Sequence, residues 1–166
     1  TTTLYTALNM LNTASRKLIT VEDPVEYQLE GVNQIQVQPA IGLNFANALR
    51  SIVRQDPDVI MVGEMRDLET ARICVQSALT GHMVLSTLHT NDAPSSITRL
   101  LEMGVEDYLL TSTLNAVIGQ RLVRMLCQKC RESYAPLPEV IAELGLQPDQ
   151  ASGAILLYRS AGCDHC

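Results

Sequence analysis

Asp58-Val59-Ile60-Met61-Val62-Gly63-Glu64 decides the fold class of this 166-residue chain. Val59 to Val62 are uninterruptedly apolar and mostly β-branched, which predicts a strand buried on both faces, as inside a parallel sheet. Gly63 closes the strand and Glu64 follows, so a carboxylate arrives at the strand's carboxyl end. Open α/β sheets bind their ligands at that edge. The plain alternative is a core strand followed by a solvated acid, and the rest of the chain has to decide between the two.

Working outward, apolar periodicity predicts helices at 2–14, 44–55, 67–80, 93–103 and 106–125. Strands are expected at 17–21, near 35–38, at 59–63 and at 83–88. Asp67 is placed to cap the start of one helix, and Gly81 and Gly104 to end two of them. Helices alternating with buried strands predict an α/β fold with a mainly parallel sheet. Residues 127–166 differ in kind, with paired cysteines, three prolines and one strand candidate at 154–159. The expected division is therefore a core over 1–126 and a cysteine-bearing lobe over 127–166.

Composition narrows the function. A net charge of −6 argues against a general nucleic-acid binder, which would present a basic surface. Ten of the twelve basic residues are arginines, whose rigid fork suits phosphate better than an ammonium does. No apolar run approaches the ~20 residues of a membrane span. Two CxxC pairs without a leader pattern favour metal in a reducing compartment over disulfides.

Cys127-x-x-Cys130 and Cys163-x-x-Cys166 predict a zinc site. Each pair can bite one ion, and two bites close a tetrahedron with no position left for water, so the metal would be structural. The 32 residues between the pairs (131–162) exceed the needs of a compact ribbon and imply an inserted lobe. Redox cysteines are the alternative. Cys74 falls on a helix's apolar stripe and reads as a small buried hydrophobe.

Several stretches together resemble one family. Thr20-Val21-Glu22-Asp23-Pro24-Val25-Glu26-Tyr27 is similar to the acidic Asp box of secretion ATPases. Leu49-Arg50-Ser51-Ile52-Val53-Arg54-Gln55-Asp56-Pro57-Asp58, running into the strand above, resembles their arginine-bearing segment and Walker B strand. Leu79-Thr80-Gly81-His82-Met83-Val84-Leu85-Ser86-Thr87-Leu88-His89-Thr90-Asn91 resembles their His box. Gly119-Gln120-Arg121-Leu122-Val123-Arg124 and the two cysteine pairs complete the series from first residue to last. In order, these motifs match the ATPase domain of the type II secretion/type IV pilus assembly ATPases, and the type II secretion branch is the closer likeness.

The resemblance implies a RecA-like P-loop ATPase core, lacking its first strand and P-loop here, plus a tetracysteine zinc lobe. It implies ATP, Mg²⁺ and Zn²⁺ as cofactors. Phosphoryl transfer needs positioning, charge neutralisation and an oriented water. In that scheme Glu64 orients or deprotonates the water, against a plain reading as a helix-capping acid. Glu22 or its neighbour Asp23 handles Mg²⁺ or the water; adjacent acids on a strand point opposite ways, and Glu22 is preferred. Arg50 and Arg54 share a helical face and serve as sensor or finger, in cis or in trans, against simple surface pairing. His89 reaches the γ-phosphate; His82, at the far end of its strand, and Arg66 are weaker candidates. Thr1 and Thr2 stand where residues following a P-loop lysine contact the nucleotide, although a threonine-rich helix start is also an ordinary cap.

The family further implies a homohexamer at the cytoplasmic face of the bacterial inner membrane. There it would be held peripherally through platform proteins, drive pseudopilus assembly and bind no nucleic acid. With neither the Gly-rich P-loop nor that loop's lysine in the sequence, the chain is expected to be partial and inactive alone. A pilus assembly ATPase is the nearest alternative; the pilus retraction ATPase, which lacks the tetracysteine lobe, fits less well. A non-catalytic zinc-bearing binding module is the rival from another class.

Overall fold

The computed structural model describes residues 2–147 and 155–166. They fall into two compact units, Thr1–Gln120 and Arg121–Cys166. The first contains helix α1 (Thr2–Leu11), strand β1 (Leu18–Glu22), strand β2 (Val32–Gln36) and helix α2 (Phe45–Ile52), which tightens into a 3₁₀ turn at Val53–Gln55. Strand β3 (Val59–Val62), helix α3 (Leu68–Leu79), strand β4 (Met83–Ser86), helix α4 (Ala93–Glu102) and helix α5 (Asp107–Thr113) follow. The second contains strand β5 (Arg131–Tyr134), helix α6 (Pro138–Glu143) and strand β6 (Leu157–Ser160).

The sheet of the first unit runs β2-β1-β3-β4 with every pairing parallel, so the expectation of a parallel α/β core holds. Every residue of β1 and β3 is buried, as their apolar composition demands. The two-residue strand period sorts side chains between faces. Leu18, Val59 and Met61 pack with Tyr5 and Leu8 of α1. Ile19, Val21, Ile60 and Val62 pack with Ala48, Leu49 and Ile52 of α2 and with Cys74 of α3. Each such aliphatic side chain contributes about 1.5–3 kcal/mol on burial. Thr20 and Glu22 share the α1 face with Leu18 and are buried there too, which sets up the polar network described below. A third cluster, with Ala71, Val75, Leu100, Val105 and Leu110, joins α3 to α4 and α5.

Local chemistry explains most boundaries. Asp67 accepts the Thr70 amide at 2.8 Å and starts α3, and Asp92 caps α4 through the Ser95 amide at 2.8 Å. Gly81 (φ 97°) and Gly104 (φ 96°) follow α3 and α4 in the left-handed region that glycine enters freely. The second strand spans 32–36 rather than 35–38, because its partner register runs from Leu18↔Val32 to Glu22↔Gln36.

The helix expected over 106–125 is the clear correction. Regular helix ends at Thr113, where Leu114 turns to extended backbone (φ −81°, ψ 102°). Val117, Ile118 and Gly119 have poor helix propensity. A helix here would need a surface to cover its apolar side, yet Ile118, Leu122 and Val123 are largely exposed. The strand at 83–88 also stops early, at Ser86, since Thr87 turns its hydroxyl to the Gly63 carbonyl at 2.7 Å.

In the second unit β5 and β6 pair antiparallel, from Arg131↔Ser160 to Tyr134↔Leu157. The Arg131 guanidinium lies 4.5 Å from the centre of the Tyr158 ring. Of the candidate strand at 154–159, residue 154 lies outside the described residues, and the remainder overlaps β6. None of the described residues of this unit is buried.

Candidate functional site

A cleft of about 340 Å³ opens at the carboxyl edge of the sheet of the first unit. Glu22 and Asp23 enter it from the end of β1, Gly63 and Glu64 from the end of β3, Thr87 and His89 from beyond β4, and Leu4 and Tyr5 from α1. The strand ends are pinned to one another. The Gly63 amide donates to the Val21 carbonyl at 2.8 Å and the Met65 amide to the Thr87 carbonyl at 3.1 Å. The three acids and His89 therefore meet in one place, as an acid at a strand's carboxyl edge foreshadowed.

Glu64 is only 9% exposed. Its Oε1 accepts Arg66 Nη2 at 2.5 Å, and its Oε2 lies 3.2 Å from His89 Nε2. The Arg66 hydrogen bond holds the carboxyl below the usual carboxylate range against the opposing effect of burial, with His89 adding to the depression. Arg66 is held above its ordinary value in return, chiefly by that same bond, with Asp23 contributing at longer range. Two cationic or proton-donating side chains thus keep Glu64 ionised, while both remain exposed enough to turn toward a ligand.

Glu22 is 3% exposed and accepts hydrogen bonds from three side chains. Tyr5 donates its hydroxyl to Oε2. Thr20 donates to Oε1 at 2.5 Å and Gln34 Nε2 to the same oxygen at 3.1 Å. Asp23, one residue on, is exposed. Burial, then the Glu22 carboxylate, pushes the Tyr5 hydroxyl above its ordinary range.

The other expected residues lie elsewhere. Arg50 sits on α2 with its guanidinium on Glu69 of α3 and, at 2.9 Å, on Asn47. Arg54 is exposed on the 3₁₀ turn, and neither arginine lines the cleft. His82 precedes β4 at the opposite sheet edge, its Nδ1 2.9 Å from the Ser77 carbonyl and 3.0 Å from Thr80 Oγ1, where it closes the end of α3. Thr2 opens α1 and is exposed; Thr1 lies outside the described residues. Tyr5, Thr20 and Gln34 belong to the cleft wall and its support, and sequence reasoning missed them. The i, i+2 spacing of Thr20 and Glu22 was the one available signal, since it puts both on one strand face.

In the second unit the sulfurs of Cys127, Cys130, Cys163 and Cys166 all lie within 4.8 Å of one another. Cys130–Cys166 is 3.7 Å and Cys163–Cys166 is 3.8 Å. A tetrahedral zinc with Zn–S bonds of about 2.3 Å sets sulfurs about 3.8 Å apart, so the donor set fits that ion. Backbone amides, His165 first, draw the Cys163 thiol down to about 7, whereas desolvation and then neighbouring thiols push Cys130 up to about 11.

A parallel sheet gathers two buried acids, an arginine and a histidine at its carboxyl edge, where open α/β sheets bind their ligands. The family model of the type II/IV secretion system proteins matches residues 1–166, and the chain belongs to that family. It is 70% identical over 159 residues to the type II secretion system protein E of Xanthomonas campestris pv. campestris, covering 96% of this chain and 28% of that protein. It is 52% identical over 167 residues to the type IV pilus assembly ATPase PilB of Myxococcus xanthus, covering 100% of this chain and 29% of PilB. The crystal structure of the pilus retraction motor PilT with bound ADP superposes with a TM-score of 0.66 at 32% identity, over 99% of this chain and 44% of that one. The chain thus spans less than a third of the curated relatives it matches. No helix among the described residues is long and apolar enough to cross a membrane.

Proposed function

We propose that this chain is part of a Mg²⁺-dependent ATPase that powers a bacterial type II secretion system. The observation that carries this reading is Glu64, an ionised and nearly buried acid at the carboxyl end of β3, facing the same cleft as Glu22 and His89. Its carboxylate would accept the proton of, or orient, the water that attacks the γ-phosphate. Held below the usual range by Arg66, it stays ionised across the neutral range. Glu22 or Asp23 would hold Mg²⁺ or its water, and the ion would neutralise phosphate charge. His89 and Arg66 would contact phosphate, and Thr1 and Thr2 phosphate or metal.

Arg50 and Arg54 stand outside the cleft wall. Their reading is therefore as fingers offered to the nucleotide of a neighbouring subunit, which calls for a ring, here a homohexamer. The four cysteines would hold one structural zinc. The assembly would sit on inner-membrane platform proteins at the cytoplasmic face and drive pseudopilus growth. Pilus assembly is the second reading, supported by the 52% identity to PilB over 100% of this chain.

The test is ATP hydrolysis by the full-length protein containing this chain, beside Glu64→Gln. Hydrolysis should fall at least a hundredfold, in line with loss of a positioned general base, while nucleotide affinity stays within a few-fold. Loss of affinity with unchanged turnover per bound nucleotide would make Glu64 structural and sink the proposal.

A further inference from the structure

One buried carboxylate ties together four parts of the first unit. Glu22 ends β1, yet its oxygens are bonded by Tyr5 from α1, Thr20 from β1 and Gln34 from β2. Gln34 then reaches the segment that follows Glu22: its Nε2 donates to the Tyr27 carbonyl at 3.2 Å and its Oε1 accepts the Leu29 amide at 2.7 Å. Tyr5 reaches the same segment, accepting the Glu26 amide at 3.2 Å and packing at a 51° tilt against the Tyr27 ring, centroids 4.5 Å apart. Tyr5 and Glu22 are 2% and 3% exposed.

The arithmetic of acceptors gives this network a direction. An ionised carboxylate has about four lone-pair sites. Thr20 and Gln34 use both sites of Oε1, and Tyr5 uses one of Oε2. The remaining capacity is on Oε2, the oxygen fixed by Tyr5, and Glu22 and Tyr5 both line the cleft. Charge-assisted bonds in a water-poor wall are strong and hold geometry. Tyr5 lines the cleft with Leu4 near the start of α1, so its hydroxyl joins that helix to the acid.

We propose that Tyr5 is a positioning residue for the hydrolysis, acting through Glu22: its hydroxyl aims the free lone pair of Glu22 Oε2 into the cleft. This rests on the ATPase reading above. The ring of Tyr5 serves the core, packing with Leu8 and Met61; the hydroxyl serves the acid and accepts the Glu26 amide. Tyr5→Phe keeps the ring and removes only the hydroxyl, so packing survives the test.

The experiment is a double-mutant cycle in the full-length protein with Tyr5→Phe, Glu22→Gln and the pair, reading kcat, KM, Mg·ADP affinity and Tm. Tyr5→Phe should lower kcat about tenfold with KM within twofold. The double variant should be no slower than Glu22→Gln, because Tyr5 has nothing left to aim. Effects that multiply, or a loss of kcat that merely follows a loss of Tm, would overturn the proposal, as would a wild-type kcat in Tyr5→Phe. If the wild type binds Mg·ADP without hydrolysing ATP, the ATPase reading fails by itself. The same cycle on affinity then decides Tyr5, with independent effects again counting against it.

Discussion

Removing metal from the four-cysteine cluster should unfold the second unit and spare the first. The magnitude follows from what the unit lacks. None of its described residues is buried, β5 is exposed at all four positions and α6 buries nothing. Apolar burial stabilises by about 25 cal/mol per Å², and here there is almost none to set against about 1–2 kcal/mol of backbone entropy for each residue ordered. The four ladder positions of β5 and β6 contribute roughly 0.5–1.5 kcal/mol net per hydrogen bond. A structural zinc would supply an apparent ~10–16 kcal/mol, which would make it the dominant stabilising term. The assay is hydrogen exchange of the Arg131–Tyr134 amides with and without a strong chelator, alongside metal content. One zinc per chain is expected. Chelation, or Cys130→Ser, should raise exchange at β5 by more than a thousandfold while β3 amides stay protected. Retained protection at β5 in metal-free protein would refute the reasoning, since nothing else described in the unit could supply it.

Other expectations concern the cleft. Arg66→Ala removes the main cause of the low Glu64 pKa, so the group should titrate nearer the ordinary glutamate value. A carboxyl depressed in the folded state adds stability above its unfolded pKa and loses it as pH falls through the folded pKa. The wild type's stability advantage over the variant should therefore shrink as pH falls through the acid range, because only the wild type has a Glu64 contribution to lose; a gap that stays constant with pH would show that Arg66 does not hold Glu64. Arg50→Ala should slow hydrolysis in the assembled ring at least tenfold while nucleotide affinity changes little. Equal losses in both would make Arg50 a ground-state contact, or reflect only its pairing with Glu69.

Much was legible in the chain because it depends on local pattern. The unbroken run Val59-Ile60-Met61-Val62 can be satisfied only where both sheet faces are covered, so the parallel core followed from four residues. The carboxylate at its end had to emerge at the ligand-binding edge. Two CxxC pairs announce a shared centre because each is already a bidentate clamp. Asp67 and Gly81 marked the ends of α3 through their own backbone and side-chain chemistry.

Tertiary structure alone decided the rest, wherever the outcome depended on partners distant in sequence. Glu22 and Asp23 are neighbours with the same charge; one is buried under Tyr5 and Gln34 as the last residue of β1, and the other, one residue past the strand, is exposed. Arg50 and Arg54 have the composition of phosphate ligands, but α2 packs so that Arg50 meets Glu69 and the cleft is lined by others. Residues 114–125 carry enough apolar side chains for a helix, yet they remain extended or irregular, since helical pattern becomes helix only where a surface accepts its face. Pattern determines which groups must be buried or joined. Only the folded chain's packing determines which carboxylate, arginine or hydroxyl ends within bonding distance of another.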